Sequence, residues 1–177
     1  MKSRWLVLFS CAAVLWLSAC GQPFSSAPPA AVSESALEAG PSRAQPKLAT
    51  IRLWIGPKEV QAEQAVTEME IRTGMMFRKE MGEDEGMLFV FPSPRKASFW
   101  MRNTLLPLSC AYIDPNGIVL ELHDMKPLDE TGIEADSDQV QYVLEMKQGW
   151  FRHNKITPGM LVRTERGSLA ETYFRRR

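Results

Sequence analysis

Histidine and cysteine are scarce in this sequence, and their scarcity excludes much familiar chemistry. The 177 residues hold two histidines, His123 and His153, and three cysteines. No HExxH, CxxC, GxSxG or GxxxxGK[ST] pattern occurs, so the common zinc, redox-dithiol, acyl-transfer and phosphate-loop signatures are missing. Charge of one sign is missing too: 21 basic residues balance 21 acidic ones. A chain without a basic excess lacks the electrostatic footprint of a nucleic-acid binder, so nucleic acid is not expected as a partner. Ser109 and His123 with a carboxylate are the raw material of a hydrolytic triad, but nothing in their spacing favours one. An enzyme is therefore the less favoured class.

The N-terminus is better marked. Lys2 and Arg4 precede the apolar run Trp5–Leu17. This run has the length of a signal-peptide core and falls short of the ~20 residues a membrane span needs. It ends in Leu17-Ser18-Ala19-Cys20, which resembles the lipobox of bacterial lipoproteins. Residues 1–20 are then a lipoprotein signal peptide and Cys20 is the lipid-attachment residue. Ordinary secretory cleavage after Ala19 is the competing reading. Gly21 follows where an Asp would favour inner-membrane retention. The expected location is thus the cell envelope, with a lipid anchor in the membrane, the outer one in a Gram-negative host, and the domain in the periplasm. Cleavage removes Lys2, Arg4 and Cys11, leaving 19 basic against 21 acidic residues, a charge of −2. Cys20 is consumed by lipid, so Cys110 stands alone and is expected as a small buried hydrophobe.

Of the 27 residues from Gly21 to Lys47, 18 are Pro, Ala, Ser or Gly. That composition cannot form a core and reads as a flexible linker, about 30 Å in root-mean-square span. The globular domain is expected at 48–166, followed by a frayed basic tail at 167–177. Within the domain, period-two alternation in LATIRLWIG and in EVQAEQAV predicts two strands. Thr67 with Glu70 forms a capping box, flanked by the staple pair Val66 and Ile71, and predicts the main helix over Glu68–Phe77. The apolar run Met87–Phe91 is a strand that Pro92 and Pro94 should end. ASFWM is the next strand, and CAYID-PNG-IVLEL is a hairpin about strong turn residues. VQYVLEM, a short helix at GWFRHN and a closing strand at MLVRT complete the reading. The fold class is mainly β (β-rich α+β): a compact barrel or sandwich of about seven short strands with one main helix.

Alternation puts Ala97, Phe99 and Met101 on one face of ASFWM and Ser98, Trp100 and Arg102 on the other. Trp100 and Arg102, followed by Asn103 and Thr104, form the candidate site, because an indole beside a guanidinium with amide and hydroxyl donors suits an anionic or planar ligand. The competing reading is a Trp covering the second face of the sheet, with Arg lying over it and Asn capping a turn.

Several blocks, TGMMFRKEMGEDEGMLFVF, SFWMRNTLLPL, YID-NG, HDMKPLDE and YVLEMKQGWFRHNKITPGMLV, resemble in order and spacing the uncharacterised bacterial family catalogued as domain of unknown function 192. The resemblance covers roughly Val60–Val162. It implies a small β-rich domain, often exported or lipid-anchored, and no established activity. The family pattern Phe-Trp-Met-(Lys or Arg)-Asn-Thr is matched by Phe99–Thr104, but where the family often continues Pro-Leu-Asp this chain has Ser109. If that Asp pairs with the basic residue, Arg102 has lost its partner. Arg78, in the family's Met-Phe-Arg block, is a second candidate.

Three functional expectations follow. The first is a module that binds a small anionic ligand or an envelope protein through Arg78, Trp100, Arg102, Asn103, Thr104 and His123. The second is an enzyme of unrecognised class using a pocket at the barrel mouth with an Arg, an Asn and a lone carboxylate. The third is a Cu(I) protein: the nine methionines besides the initiator include Met101 and Met125, next to Trp100 and His123, and thioether and imidazole ligands suit a soft metal. The binding module is preferred, and neither a metal site nor a cofactor is assigned.

Overall fold

The computed structural model describes residues 40–175; the expected signal peptide, Cys20, the expected linker up to residue 39 and the last two residues of the expected tail lie outside the described residues. Among the described residues ten strands and three short helices follow one another. The strands are β1 (Thr50–Ile55), β2 (Lys58–Ala65), β3 (Glu85–Arg95), β4 (Ser98–Phe99), β5 (Leu108–Ile113), β6 (Val119–Met125), β7 (Ile133–Glu134), β8 (Val140–Lys147), β9 (Val162–Thr164) and β10 (Gly167–Ser168). The helices are α1 (Glu68–Thr73), α2 (Trp150–His153) and α3 (Leu169–Phe174). Eight strands form one sheet in the order β10-β9-β1-β2-β3-β8-β5-β6, and β4 pairs with β7 in a separate ribbon. All pairs in the large sheet are antiparallel except β2 with β3. Parallel neighbours need a crossover, and α1 with the acidic loop after it supplies one.

The fold is β-rich as expected, but the sheet does not close into a barrel. Instead the residues flanking β6 and β9 meet at an isolated bridge, Ile118 to Leu161, supported by Val119 N–H to the Met160 carbonyl at 2.9 Å and Val162 N–H to the Gly117 carbonyl at 2.8 Å. Gly117 is required at this seam. Its φ is +85°, and a Cβ there would sit 2.8 Å from the Val162 carbonyl oxygen.

Strand alternation sorts the apolar residues into two layers. Inside the curl, Ile51, Leu53, Val60, Leu88, Leu144 and Trp150 share one core. On the other face, Met87, Phe89, Cys110, Tyr112, Met125 and Val143 form a second core. Each fully buried large side chain contributes about 1.5–3 kcal/mol. β8 lies between β3 and β5 and is buried on both faces. That position explains why VQYVLEM reads as a nearly continuous apolar run.

Several expectations are corrected. The main helix ends at Thr73, not Phe77, because Gly74 takes the C-cap at φ 47°, as glycine commonly does. A Cβ on Gly74 would also lie 3.2 Å from the Phe89 ring. β3 runs on to Arg95 across Pro92 and Pro94; the prolines interrupt its ladder to β8, whose register shifts between Val90 and Arg95. ASFWM pairs only at Ser98 and Phe99, since Met101 N–H turns away to the Asp129 carbonyl. Residues 167–174 are not a frayed tail. Ser168 and Glu171 form a second capping box at the start of α3, Leu169 is fully buried, and the Tyr173 hydroxyl donates to Gln64 at 2.8 Å.

Candidate functional site

The 95–104 segment leaves β3, pairs briefly with β7, and then folds over the C-terminal end of α1. Three backbone bonds fix its tip. Phe77 N–H donates to the Asn103 carbonyl at 2.8 Å, Leu128 N–H donates to the Thr104 carbonyl at 3.1 Å, and Thr104 N–H closes the turn onto the Met101 carbonyl at 3.0 Å. Phe77, Asn103 and Leu128 all have φ near +60°, at 62°, 55° and 61°. An Asn tolerates the left-handed region, but Phe and Leu do not adopt it readily. Such strain gathers where a backbone is held in one geometry for a purpose.

Beneath this tip lies a cavity of about 450 Å³, a size ordinary for small-molecule sites. Met75, Phe89, Phe91 and Phe99 supply apolar wall. Arg95 and Arg102 stand at the exposed mouth. The Arg102 guanidinium lies 5.6 Å from the Trp100 ring centre and that of Arg95 5.3 Å from the Phe91 ring centre. Neither makes an ion pair with a carboxylate among the described residues. Lys96, beside them, is bound to Glu134 at 2.7 Å.

Glu145 of β8 also lines the cavity. Its side chain is on the second-core face, alternating with Leu144 and Met146, and it is 4% exposed. Its Oε2 is buried without a hydrogen-bond partner. Removal from water pushes its carboxyl up to about 8, because burial without a counter-charge disfavours the charged form. Glu145 is therefore a neutral acid at neutral pH. Opposite it on β5 sits Cys110, whose thiol burial pushes far above its ordinary range, with the Glu145 charge adding to the effect. That places Cys110 as an inert core thiol.

The structure gathers Trp100, Arg102, Asn103 and Thr104 around one cavity. Trp100 is 45% exposed, and Thr104 is buried, its hydroxyl donating to the Arg102 carbonyl at 3.3 Å. The other two candidates lie elsewhere. Arg78 is bound to Glu63 at 2.8 Å and to the Pro46 carbonyl at 3.2 Å, which ties β2 to the residues just before β1. His123 is on β6, with Nε2 3.0 Å from Glu121 and its ring 5.4 Å from Tyr112. Ser109 does not take the place of a partner for Arg102. Its hydroxyl is hydrogen-bonded to Asp124 and accepts from Gly149 N–H. Sequence reasoning misses Glu145 as a site residue, although a signal exists: it is the one charged residue in the apolar run Val140–Met146, and buried charges are rare without a reason.

Comparison with known proteins agrees with this fold. The sequence profile of the DUF192 family, described as an uncharacterised ACR, matches residues 51–164. The chain resembles the crystal structure of a candidate transcription regulator from Sinorhizobium meliloti 1021, with 29% identity and a TM-score of 0.65 over 68% of this chain and 98% of that one. It also resembles a protein of unknown function from Novosphingobium aromaticivorans DSM 12444, with 32% identity and a TM-score of 0.62 over 72% of this chain and 95% of that one. No curated protein matches the chain. The chain belongs to the DUF192 family.

Proposed function

We propose that this member of the family is a lipid-anchored envelope protein whose β-rich domain binds a small organic anion in the cleft beneath Trp100. The observation that carries the reading is the pair of guanidiniums, Arg95 and Arg102, at the mouth of a cavity of about 450 Å³ without a carboxylate partner among the described residues. Arginine forks onto carboxylate and phosphate oxygens in two parallel bonds, and a partly enclosed site strengthens them. The exposed Trp100 supplies a flat cover with few rotamers to lose. The name of the Sinorhizobium relative is not carried over, since a chain of balanced charge is ill suited to nucleic acid. The geometry gives the Cu(I) reading no comparable support: Met101 and Met125 are buried in the second core, and His123 is paired with Glu121.

The test is a thermal-shift screen of the full-length chain against carboxylates, phosphates, cell-wall fragments, nucleotides and metals including Cu(I). A ligand at 100 times its Kd stabilises by about 2.7 kcal/mol, which is a rise of several degrees for a domain of this size. The expected result is a shift with an organic anion that Arg102→Ala abolishes and Trp100→Ala reduces, while both variants keep the ligand-free midpoint of the parent. A shift untouched by Arg102→Ala would move the site elsewhere. For the anchor, Cys20→Ser should release the protein from the membrane fraction, and a fully membrane-bound variant would end that reading.

A further inference from the structure

The cavity has a second polar end that an anion at its mouth leaves unused. Glu145 is nine-tenths buried, lines the cavity, and makes no hydrogen bond or ion pair among the described residues. A buried polar atom without a partner destabilises the fold, and native folds seldom leave one without a use. Its neighbours on the adjacent strands, Met87 and Cys110, have little to offer. Both carry sulfur, a poor partner for a carboxyl group.

We propose that Glu145 is a recognition residue, and that its carboxylic acid donates a hydrogen bond to a carbonyl oxygen on the inner part of an organic carboxylate whose charged end is held by Arg102. This rests on the anion-binding reading and narrows it to oxo-acids with an apolar or aromatic body, matching the walls of Met75, Phe89, Phe91 and Phe99. The charged and titratable groups around Glu145 are Cys110 on β5 and, lining the same cavity, Arg72, Arg95, Lys96 and Arg102. Lys96 is shifted upward by its hydrogen bond to Glu134 and Cys110 upward by burial, and arginine stays charged in proteins. Glu145, pushed up to about 8, is therefore the cavity group that changes charge between pH 6.5 and 9.

Protonated Glu145 donates to the carbonyl; ionised Glu145 has no proton to give and repels it. Affinity for such a ligand therefore falls as pH rises through about 8. A ligand with an ammonium at the same position would show the opposite trend.

The probes are 3-benzoylpropanoate and 4-phenylbutanoate, which differ by the one carbonyl and are both ionised throughout this range. Binding to the full-length chain is measured by calorimetry at pH 6.5 and 9. We expect 3-benzoylpropanoate to bind about tenfold more tightly at pH 6.5, as follows from titrating one group near pH 8, and 4-phenylbutanoate to bind more weakly at pH 6.5. Glu145→Gln keeps a donor but cannot ionise, so it should bind 3-benzoylpropanoate equally at both pH values. Arg102→Ala should lose both probes. If both probes bind, require Arg102 and show no pH dependence, the anion site stands and the role of Glu145 is overturned. That role is equally overturned if the pH dependence survives in Glu145→Gln, if its sign is reversed, or if neither probe binds while another anion does so through Arg102. A measurement independent of variants is carboxyl ¹³C NMR of the parent chain, in which saturating 3-benzoylpropanoate should raise the titration midpoint of Glu145. An unchanged or lowered midpoint would sink the proposal.

Discussion

Phe77 and Asn103, 26 positions apart in sequence, are joined by a 2.8 Å backbone hydrogen bond while each holds a φ near +60°. This bond couples the end of the α1 turn to the tip that carries Arg102. Replacing Asn103 by Gly should change stability by less than about 0.5 kcal/mol, since glycine accepts this conformation freely. Asn103→Val should cost about 1–2 kcal/mol and displace the Arg102 tip. Urea denaturation of both variants checks the order, and equal losses would show that the conformation is not what matters at this position.

Arg78 belongs to the scaffold. Its side chain and that of Glu63 are 13% and 14% exposed and lie 2.8 Å apart, and Glu63 also accepts from Leu48 N–H at 2.7 Å. Arg78→Met should destabilise by about 3 kcal/mol, because it strands a buried carboxylate. Adding Glu63→Gln should recover part of the loss. A double-mutant cycle by chemical denaturation checks this, and simple additivity of the two losses would argue that the pair is not coupled.

The C-terminal helix should matter to stability despite its length. Leu169→Ala removes a fully buried side chain and should cost about 2–5 kcal/mol. Ser168→Ala removes a cap bonded to Glu171 N–H at 3.1 Å and should cost about 1 kcal/mol. Midpoints in guanidinium decide, and an unaffected Leu169→Ala would mean that α3 contributes nothing to the fold.

Glu145 should also shape the pH dependence of folding. Its carboxyl is at about 8 in the folded chain against an ordinary 4.5. The folded state therefore holds a proton that the unfolded state has lost between these values, and stability falls as pH rises from about 4.5 to about 8. The full span would be at most about 5 kcal/mol. Glu145→Gln should flatten this slope and stabilise the protein at pH 8. Equilibrium denaturation from pH 5 to 8.5 checks it; parallel profiles for parent and variant would remove Glu145 as the cause.

What the sequence disclosed depended on how local each signal was. Capping chemistry at Thr67, alternation in β1 and turn residues after Ile113 act over a few positions, and each appears where expected. The gathering of Trp100 to Thr104 was legible because those residues are consecutive. Glu145 was not, since its role arises from β8 lying between β3 and β5, which sets it opposite Met87, 58 positions away, and Cys110, 35 positions away, and no local pattern encodes such pairings. Arg78 was misleading for the same reason: its partner Glu63 is on the neighbouring strand of the crossover. The capping box at Ser168 was as local as that at Thr67, but the three arginines that close the chain give the same stretch the look of a solvated tail.

The seam at Ile118 and Leu161 bears on how copies of this chain meet. An open eight-stranded sheet would present two rows of unpaired peptide groups, to which a second chain can add a strand. Here one end dwindles to the two residues of β10, and the start of β6 at the other end is bonded to Met160 and Gly159. Further along β6, Glu121 accepts from the backbone N–H groups of Asp136 and Ser137, drawing that loop beside the strand. Among the described residues neither end offers a long, flat ladder, an arrangement that disfavours edge-to-edge pairing of copies.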